Sequence, residues 1–186
     1  MGATKALLPI DGEAMVVRVV RGFLDSDVVG QIVVVTGHDA HNIQLAVRDL
    51  TCTTVHNHGH ADGGMLSSIK TGAAALEDPL DAFFVALVDQ PMVKSETIAE
   101  IACEILSGAA KIVVPRYQGK RGHPVLFAAS CCAEILALPS YATLKHVVSA
   151  DSSRVKELDV SDPAVTSDLD TPADYQHAIH KPRAHG

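Results

Sequence analysis

Residues 82–91 read AFFVALVDQP: seven apolar positions in a row, then an aspartate, and then a proline that cannot donate to a β-ladder. A run this short, rich in Phe and Val and cut off so abruptly, is the pattern of a strand buried on both faces of a parallel sheet. It places Asp89 just past a strand's carboxyl end, where open α/β sheets bind their ligands. Residues 31–36, QIVVVT, repeat the pattern and end in Gly37.

Working outward from these two runs, the hydrophobic period alternates between strand and helix. Met15, Val16, Val19, Val20 and Phe23 form one helical stripe, and Ile43, Ala46, Val47 and Leu50 form a second. The spacing predicts strands at 53–56, 111–114, 124–127 and 154–160. It predicts helices at 65–76 and 97–106, further helices after Ser130, and a closing helix at 173–179. Without internal repeats or a linker, this βαβ alternation predicts an α/β three-layer sandwich with a mostly parallel, Rossmann-like sheet, formed by residues 1–186 as a single domain.

Composition narrows the function classes. The chain has 186 residues, 47% of them apolar, and a net charge of −7, which argues against a nucleic-acid or anionic-membrane partner because those need clustered Lys and Arg. No apolar run reaches membrane-spanning length and the first residues lack a secretion-signal pattern, so the expectation is a cytoplasmic protein. Cys52, Cys103, Cys131 and Cys132 lack the spacing of a disulfide framework or a CxxC site and read as reduced thiols.

The candidate chemistry lies after strands. Asp89 follows the strongest strand, and Asp168 and Asp170 follow the last one, just before a helix with Thr171 as its cap and Pro172 in its first turn. Two carboxylates from separated strands can converge on one hard cation such as Mg²⁺, which takes one or two carboxylates plus phosphate oxygens. Phosphoryl and nucleotidyl transfer use that arrangement. On spacing alone the two aspartates read equally well as turn and helix caps. The alternating histidines of HNHGH (56–60) would share a face if they lay in a strand, but Asn57 and Gly59 favour a loop over a transition-metal site.

Five segments in order, MGATKALLPIDG (1–12), GMLSSIKTG (64–72), LVDQP (87–91), PRYQGKRGHPVLF (115–127) and DLDTPADY (168–175), resemble the MobA-like nucleotidyltransferase family. Within it they are most similar to the MocA-type branch, the molybdenum cofactor cytidylyltransferases. The resemblance implies a fold of the nucleotide-diphospho-sugar transferase type and Mg²⁺-dependent transfer of CMP from CTP to a molybdopterin-type acceptor phosphate, with release of pyrophosphate. It assigns the metal to Asp89 and Asp170, and the triphosphate to Lys5. It assigns nucleotide binding to Lys5, Asn57, Met65, Ser67 and Ser68, and acceptor binding to Arg121, Gly122 and His123. CTP or GTP, the pterin and a molybdenum hydroxylase are the implied partners.

The sequence departs from the family in two places. Members begin with a buried strand and a loop of the form LAAGxSxRMGxxK, whereas this chain starts at the final MG; the resemblance puts that strand in the centre of the sheet, beside QIVVVT and AFFVALV, and the loop's backbone N–H groups on the triphosphate. At LPSYATLKHVV (138–148) a GDxGaR-like acceptor segment is replaced. A non-catalytic molybdenum cofactor carrier or insertion chaperone, and a sugar-1-phosphate nucleotidyltransferase, therefore stay open as alternatives.

Overall fold

The computed structural model describes residues 4–106, 108, 110–170 and 174–175. A 3₁₀ turn at Lys5–Leu7 leads into a small hairpin, β1 (Pro9–Ile10) and β2 (Glu13–Ala14), whose reversal at Asp11 and Gly12 uses positive φ at both positions. Then follow α1 (Met15–Leu24), β3 (Val33–Thr36), α2 (Ala40–Val47), β4 (Thr53–His56), α3 (Gly64–Ala74), β5 (Ala82–Val85) and α4 (Ser95–Leu106). The second half holds β6 (Ile112–Tyr117), β7 (Lys120–Arg121), β8 (Val125–Ala128), α5 (Cys132–Ala137), α6 (Leu144–Ala150) and β9 (Val155–Asp159). The helix expected at 173–179 lies largely outside the described residues.

β3 and β4 form a parallel pair. In the larger sheet β8 lies between β5 and β6 and runs against both, β9 adds to β6 in parallel, and β7 closes a hairpin on β6. β5, β6 and β9 thus share one direction, with β8 the reversed strand among them. Gln31, just before β3, accepts a hydrogen bond through Oε1 from the Glu77 N–H, just before β5 (3.1 Å), so β3 and β5 start at the same end of the molecule.

Side-chain alternation divides the large sheet into two packed faces. Phe83, Ile112, Val114, Val125 and Phe127 face α5 and α6, burying Ile135 and Val147, with Ile69 and Leu76 of α3 against the same cluster. Val113 and Leu126 point the other way, onto Ile101 of α4. A separate cluster, Ala6, Val16, Ile43 and Val47, joins the N-terminal turn to α1 and α2. These helical layers on both faces of a largely parallel strand set are the expected α/β architecture.

One expectation about burial is corrected. QIVVVT and AFFVALV have the composition of strands buried on both faces, yet Val33, Val34, Val35, Phe84 and Val85 are only half-buried and Ala86 is exposed. The reason is that, among the described residues, β3 pairs only with β4 and β5 only with β8. Between them lies a cavity of about 1360 Å³, walled by these two strands.

Candidate functional site

The site is assembled at the carboxyl ends of β3, β4 and β5. Ala6 is buried among Val16, Ile43 and Val47, and Thr4 donates to Asp39 Oδ2 (2.7 Å). Lys5 lies between these two anchors, so its stem has a fixed origin. Its Nζ reaches Asp89 Oδ2 at 3.2 Å and Asp170 Oδ1 at 2.6 Å, bridging carboxylates 81 residues apart in the chain. The segment carrying Asp170 is held beside Asp89 by the backbone, with Leu169 N–H donating to the Asp89 carbonyl (2.9 Å). Asp89 and Asp170 therefore converge. Burial works against the Lys5 ammonium, but its hydrogen bonds to Asp170 and Asp89, and their charges, outweigh that and hold its pKa above the ordinary lysine value.

Asp89 Oδ1 is buried without a hydrogen-bond partner among the described residues. Burying a carboxylate oxygen unpaired is costly, and where it occurs in a native fold it commonly marks a position that a ligand completes. Asp162 is the contrast: also buried, it accepts from Lys94 N, Thr97 Oγ1 and Ala164 N, capping α4 and the turn after β9. An all-oxygen donor pair, an unsatisfied buried oxygen and a cation already seated between the carboxylates fit a hard divalent ion. No cluster of three or more ligating side chains forms among the described residues, so phosphate or water oxygens would complete the shell.

Asn57, buried at the end of β4, donates through Nδ2 to Ser67 Oγ (2.7 Å) and Ser68 Oγ (3.0 Å) in the first turns of α3, while its Oδ1 accepts from Gly59 N (2.9 Å). Three of the residues assigned to the nucleotide are thus one hydrogen-bonded unit. Met65, in the first turn of α3, is 63% exposed. The neighbouring histidines pack ring against ring, His56 on His58 and on His60, with His60 Nδ1 bonded to the Asn57 carbonyl (3.0 Å). They shape the loop that carries Asn57.

On the other side, Gly122 is required by contact: a Cβ there would lie 1.9 Å from the Val165 carbonyl oxygen. The same carbonyl accepts from His123 N–H (2.9 Å). His123 is half-buried, and burial lowers its pKa against the opposing pull of Asp168 and Asp89. Arg121 is held elsewhere. Its Nε and guanidinium nitrogen bond Glu157 Oε1 at 2.8 and 2.5 Å, and Glu157 also takes Arg116. His123 therefore faces the carboxylate site, and Arg121 belongs to an ion-pair network on β6, β7 and β9.

One residue, Gln90, was not read as a site component. Gln90 is buried and donates to Asp168 Oδ1 (2.7 Å), so Asp168 becomes the charge facing His123. The signal for Gln90 was present, since a polar residue beside Pro91 was read only as part of a turn.

Among the described residues no helix is long and apolar enough to cross a membrane. The MobA-like NTP transferase domain matches residues 1–156. The chain is 22% identical to the molybdenum cofactor cytidylyltransferase of Escherichia coli over 176 residues, 94% of this chain and 86% of the relative. In fold it is similar to Rv0371c of Mycobacterium tuberculosis, whose crystal structure superposes with a TM-score of 0.80 at 24% identity, covering 97% and 91% of the two chains. A manganese complex of that protein superposes with a TM-score of 0.77 over 97% and 94% of the chains. The 4-diphosphocytidyl-2C-methyl-D-erythritol synthase of Anaerococcus prevotii has the same fold at 12% identity, with a TM-score of 0.77 over 95% and 91%. With its family domain extending over most of its length, the chain belongs to the MobA-like NTP transferase family of nucleotidyltransferases.

Proposed function

We propose that this chain transfers CMP from CTP to the terminal phosphate of a molybdopterin-type acceptor, with Mg²⁺ as its metal. The observation that carries the reading is the convergence of Asp89 and Asp170 on a single cation, with Asp89 Oδ1 left buried and unpaired. The Escherichia coli relative supports the choice of CTP and of a molybdenum cofactor acceptor, and the manganese complex of the mycobacterial protein supports a divalent ion.

Asp89 and Asp170 would hold the metal, whose contribution when bound is to neutralise charge on the phosphates. Lys5, kept cationic by both carboxylates, is placed to follow negative charge onto the departing pyrophosphate. Asn57, with Ser67 and Ser68, presents a fixed set of donors and acceptors at the start of α3, where exposed N–H groups add to them, and Met65 supplies an apolar surface beside the base. His123 offers the acceptor a hydrogen bond, and Gly122 keeps its backbone against Val165. Arg121 contributes to the acceptor side once released from Glu157. In the reaction an oxygen of the acceptor phosphate forms a bond to the α-phosphorus of CTP and the bond to the β-phosphate oxygen breaks. No side-chain nucleophile is needed. The reading places the protein in the cytoplasm, supplying the dinucleotide cofactor to a molybdenum hydroxylase.

The test is pyrophosphate release with Mg²⁺, CTP or GTP, and the molybdenum-loaded pterin. The expected result is turnover with CTP that falls at least a hundredfold in Asp89→Asn and Asp170→Asn; equal turnover in these variants overturns the metal assignment.

A further inference from the structure

Gln90 holds a position that the stability of the fold does not explain. It is only 6% exposed, in a turn closed by its own N–H on the Leu87 carbonyl (3.3 Å), and Pro91 after it disfavours the helical region for its backbone. Its side chain therefore starts from a fixed point. Val19, Phe23, Ile98 and Pro124 line with it a cavity of about 10 Å³, so its surroundings are largely apolar. Of the amide, Nε2 donates to Asp168 Oδ1 (2.7 Å), whereas Oε1 is buried without a hydrogen-bond partner among the described residues. That orientation follows from chemistry, because an ionised carboxylate only accepts and only the amide nitrogen donates. Asp168 is itself exposed, so water could take the place of Gln90 there. A buried carbonyl left without a donor costs more than a hydrogen bond to a solvated partner returns. An apolar side chain of the same length would serve the fold at least as well.

What the amide does is fix a segment. Asp168, 78 residues away in the chain, is tied to Gln90; the next residue, Leu169, donates its N–H to the Asp89 carbonyl (2.9 Å); and Asp170 follows. Two adjacent residues after β5 thus grip two adjacent residues of the chain beyond β9, immediately before the carboxylate that meets Asp89 through Lys5. Asp170 is 65% exposed, and the ammonium bound to it (2.6 Å) is the group that an incoming metal would displace. Once Lys5 leaves, the pair of bonds at Asp168 and Leu169 remains to keep Asp170 in place.

We propose that Gln90 is a positioning residue for the metal pair: its amide holds Asp168 and, together with the Leu169–Asp89 bond, keeps Asp170 opposite Asp89 when the Lys5 ammonium gives way to a divalent ion. The inference rests on the reading of Asp89 and Asp170 as that pair, and adds the group that holds them in register.

The test compares the 186-residue parent with Gln90→Met, Asp168→Ala and Asp168→Asn. Three quantities are read: exchange of the Leu169 amide by NMR without metal, Mn²⁺ affinity by titration calorimetry without nucleotide, and the urea midpoint. Gln90→Met should bind Mn²⁺ about tenfold more weakly or worse, the usual loss when the group orienting a metal ligand is removed. Its Leu169 amide should exchange about fivefold faster or more, as expected of a locally released segment. Its urea midpoint should equal or exceed the parent's, since the unpaired buried carbonyl is gone. Asp168→Ala should speed Leu169 exchange to the same extent, and Asp168→Asn, whose amide oxygen still accepts, should leave it within about twofold of the parent's. Unchanged Mn²⁺ affinity in Gln90→Met overturns the proposal and leaves the metal pair standing. A urea midpoint that falls together with Mn²⁺ affinity gives Gln90 a merely structural role and overturns it, as does equal release of Leu169 by Asp168→Asn and Asp168→Ala. A parent that binds no Mn²⁺ overturns the metal reading itself, and the proposal with it.

Discussion

Replacing Lys5 by Met separates two roles that ordinary loss of activity would merge. The ammonium sits where a cation between Asp89 and Asp170 would sit, at 3.2 and 2.6 Å, so an incoming divalent ion competes with it. Two unit charges 4 Å apart attract by about 4 kcal/mol at an effective dielectric of 20 and by about 1 kcal/mol in water. With Lys5 34% exposed, Asp89 26% and Asp170 65%, screening brings the pairs toward the lower figure. About 1 kcal/mol for Asp89 and about 0.5 kcal/mol for Asp170 is the scale for such pairs. Removing that competition should tighten Mn²⁺ binding in the absence of nucleotide by about tenfold, since 1.4 kcal/mol is a factor of ten. Turnover should fall by about a hundredfold or more, because the charge following the pyrophosphate is gone. Isothermal titration with Mn²⁺ on the parent, Lys5→Met and Asp89→Asn proteins reads the first effect. Unchanged or weaker Mn²⁺ binding in Lys5→Met would refute the shared position of ammonium and metal.

Asn57→Ala leaves the Ser67 and Ser68 hydroxyls and Gly59 N without their partner; stability should fall by about 1–3 kcal/mol in urea unfolding, and KM for CTP should rise more than kcat falls. Gly122→Ala drives a methyl into the Val165 carbonyl and should cost about 3 kcal/mol or more, seen as a lower urea midpoint, whereas an unchanged midpoint would contradict the packing. Glu134 is held below the usual glutamate range chiefly by its hydrogen bonds to Arg154, with burial opposing. Because the folded pKa is depressed, this stabilisation is complete above the unfolded value near 4.5 and is lost as pH falls through the folded one. The stability difference between the parent and Glu134→Gln should therefore be constant from pH 6 to 8 and shrink below pH 4.5; a difference that grows on acidification would reverse the sign of the argument.

Local sequence carried the elements because each strand and helix has its own period. β4 falls on the expected 53–56, and α4 begins at Ser95, two residues before the first periodic position, since Asp162 reaches back to Lys94 N and Thr97 Oγ1. β5 ends at Val85, short of the apolar run, because its ladder with β8 ends at the Val85–Val125 pair and, among the described residues, no other strand pairs with Ala86 to Val88. An apolar run records what a strand requires from its neighbours, and the cavity next to β3 and β5 could not be inferred from composition. The reversal of β8 was illegible too, since strand direction depends on the hairpin turn at Gln118–Gly119 and on the path through Val165, not on the residues of the strand. At the site, Asp89 and Asp170 were legible as residues after strands. Their meeting through Lys5 depends on contacts 84 and 165 residues apart in the chain, which no local pattern contains. Glu157, which holds Arg121 from a strand 36 residues away, was hidden for the same reason.

The most direct test of the central claim is mass spectrometry of the pterin after incubation with the protein, Mg²⁺ and CTP. The account predicts a pterin heavier by one CMP, formed with one pyrophosphate per product and lost in Asp89→Asn. A pterin that binds yet returns unmodified would contradict it and favour a carrier, and a CMP product formed only when a sugar-1-phosphate is supplied would contradict the acceptor.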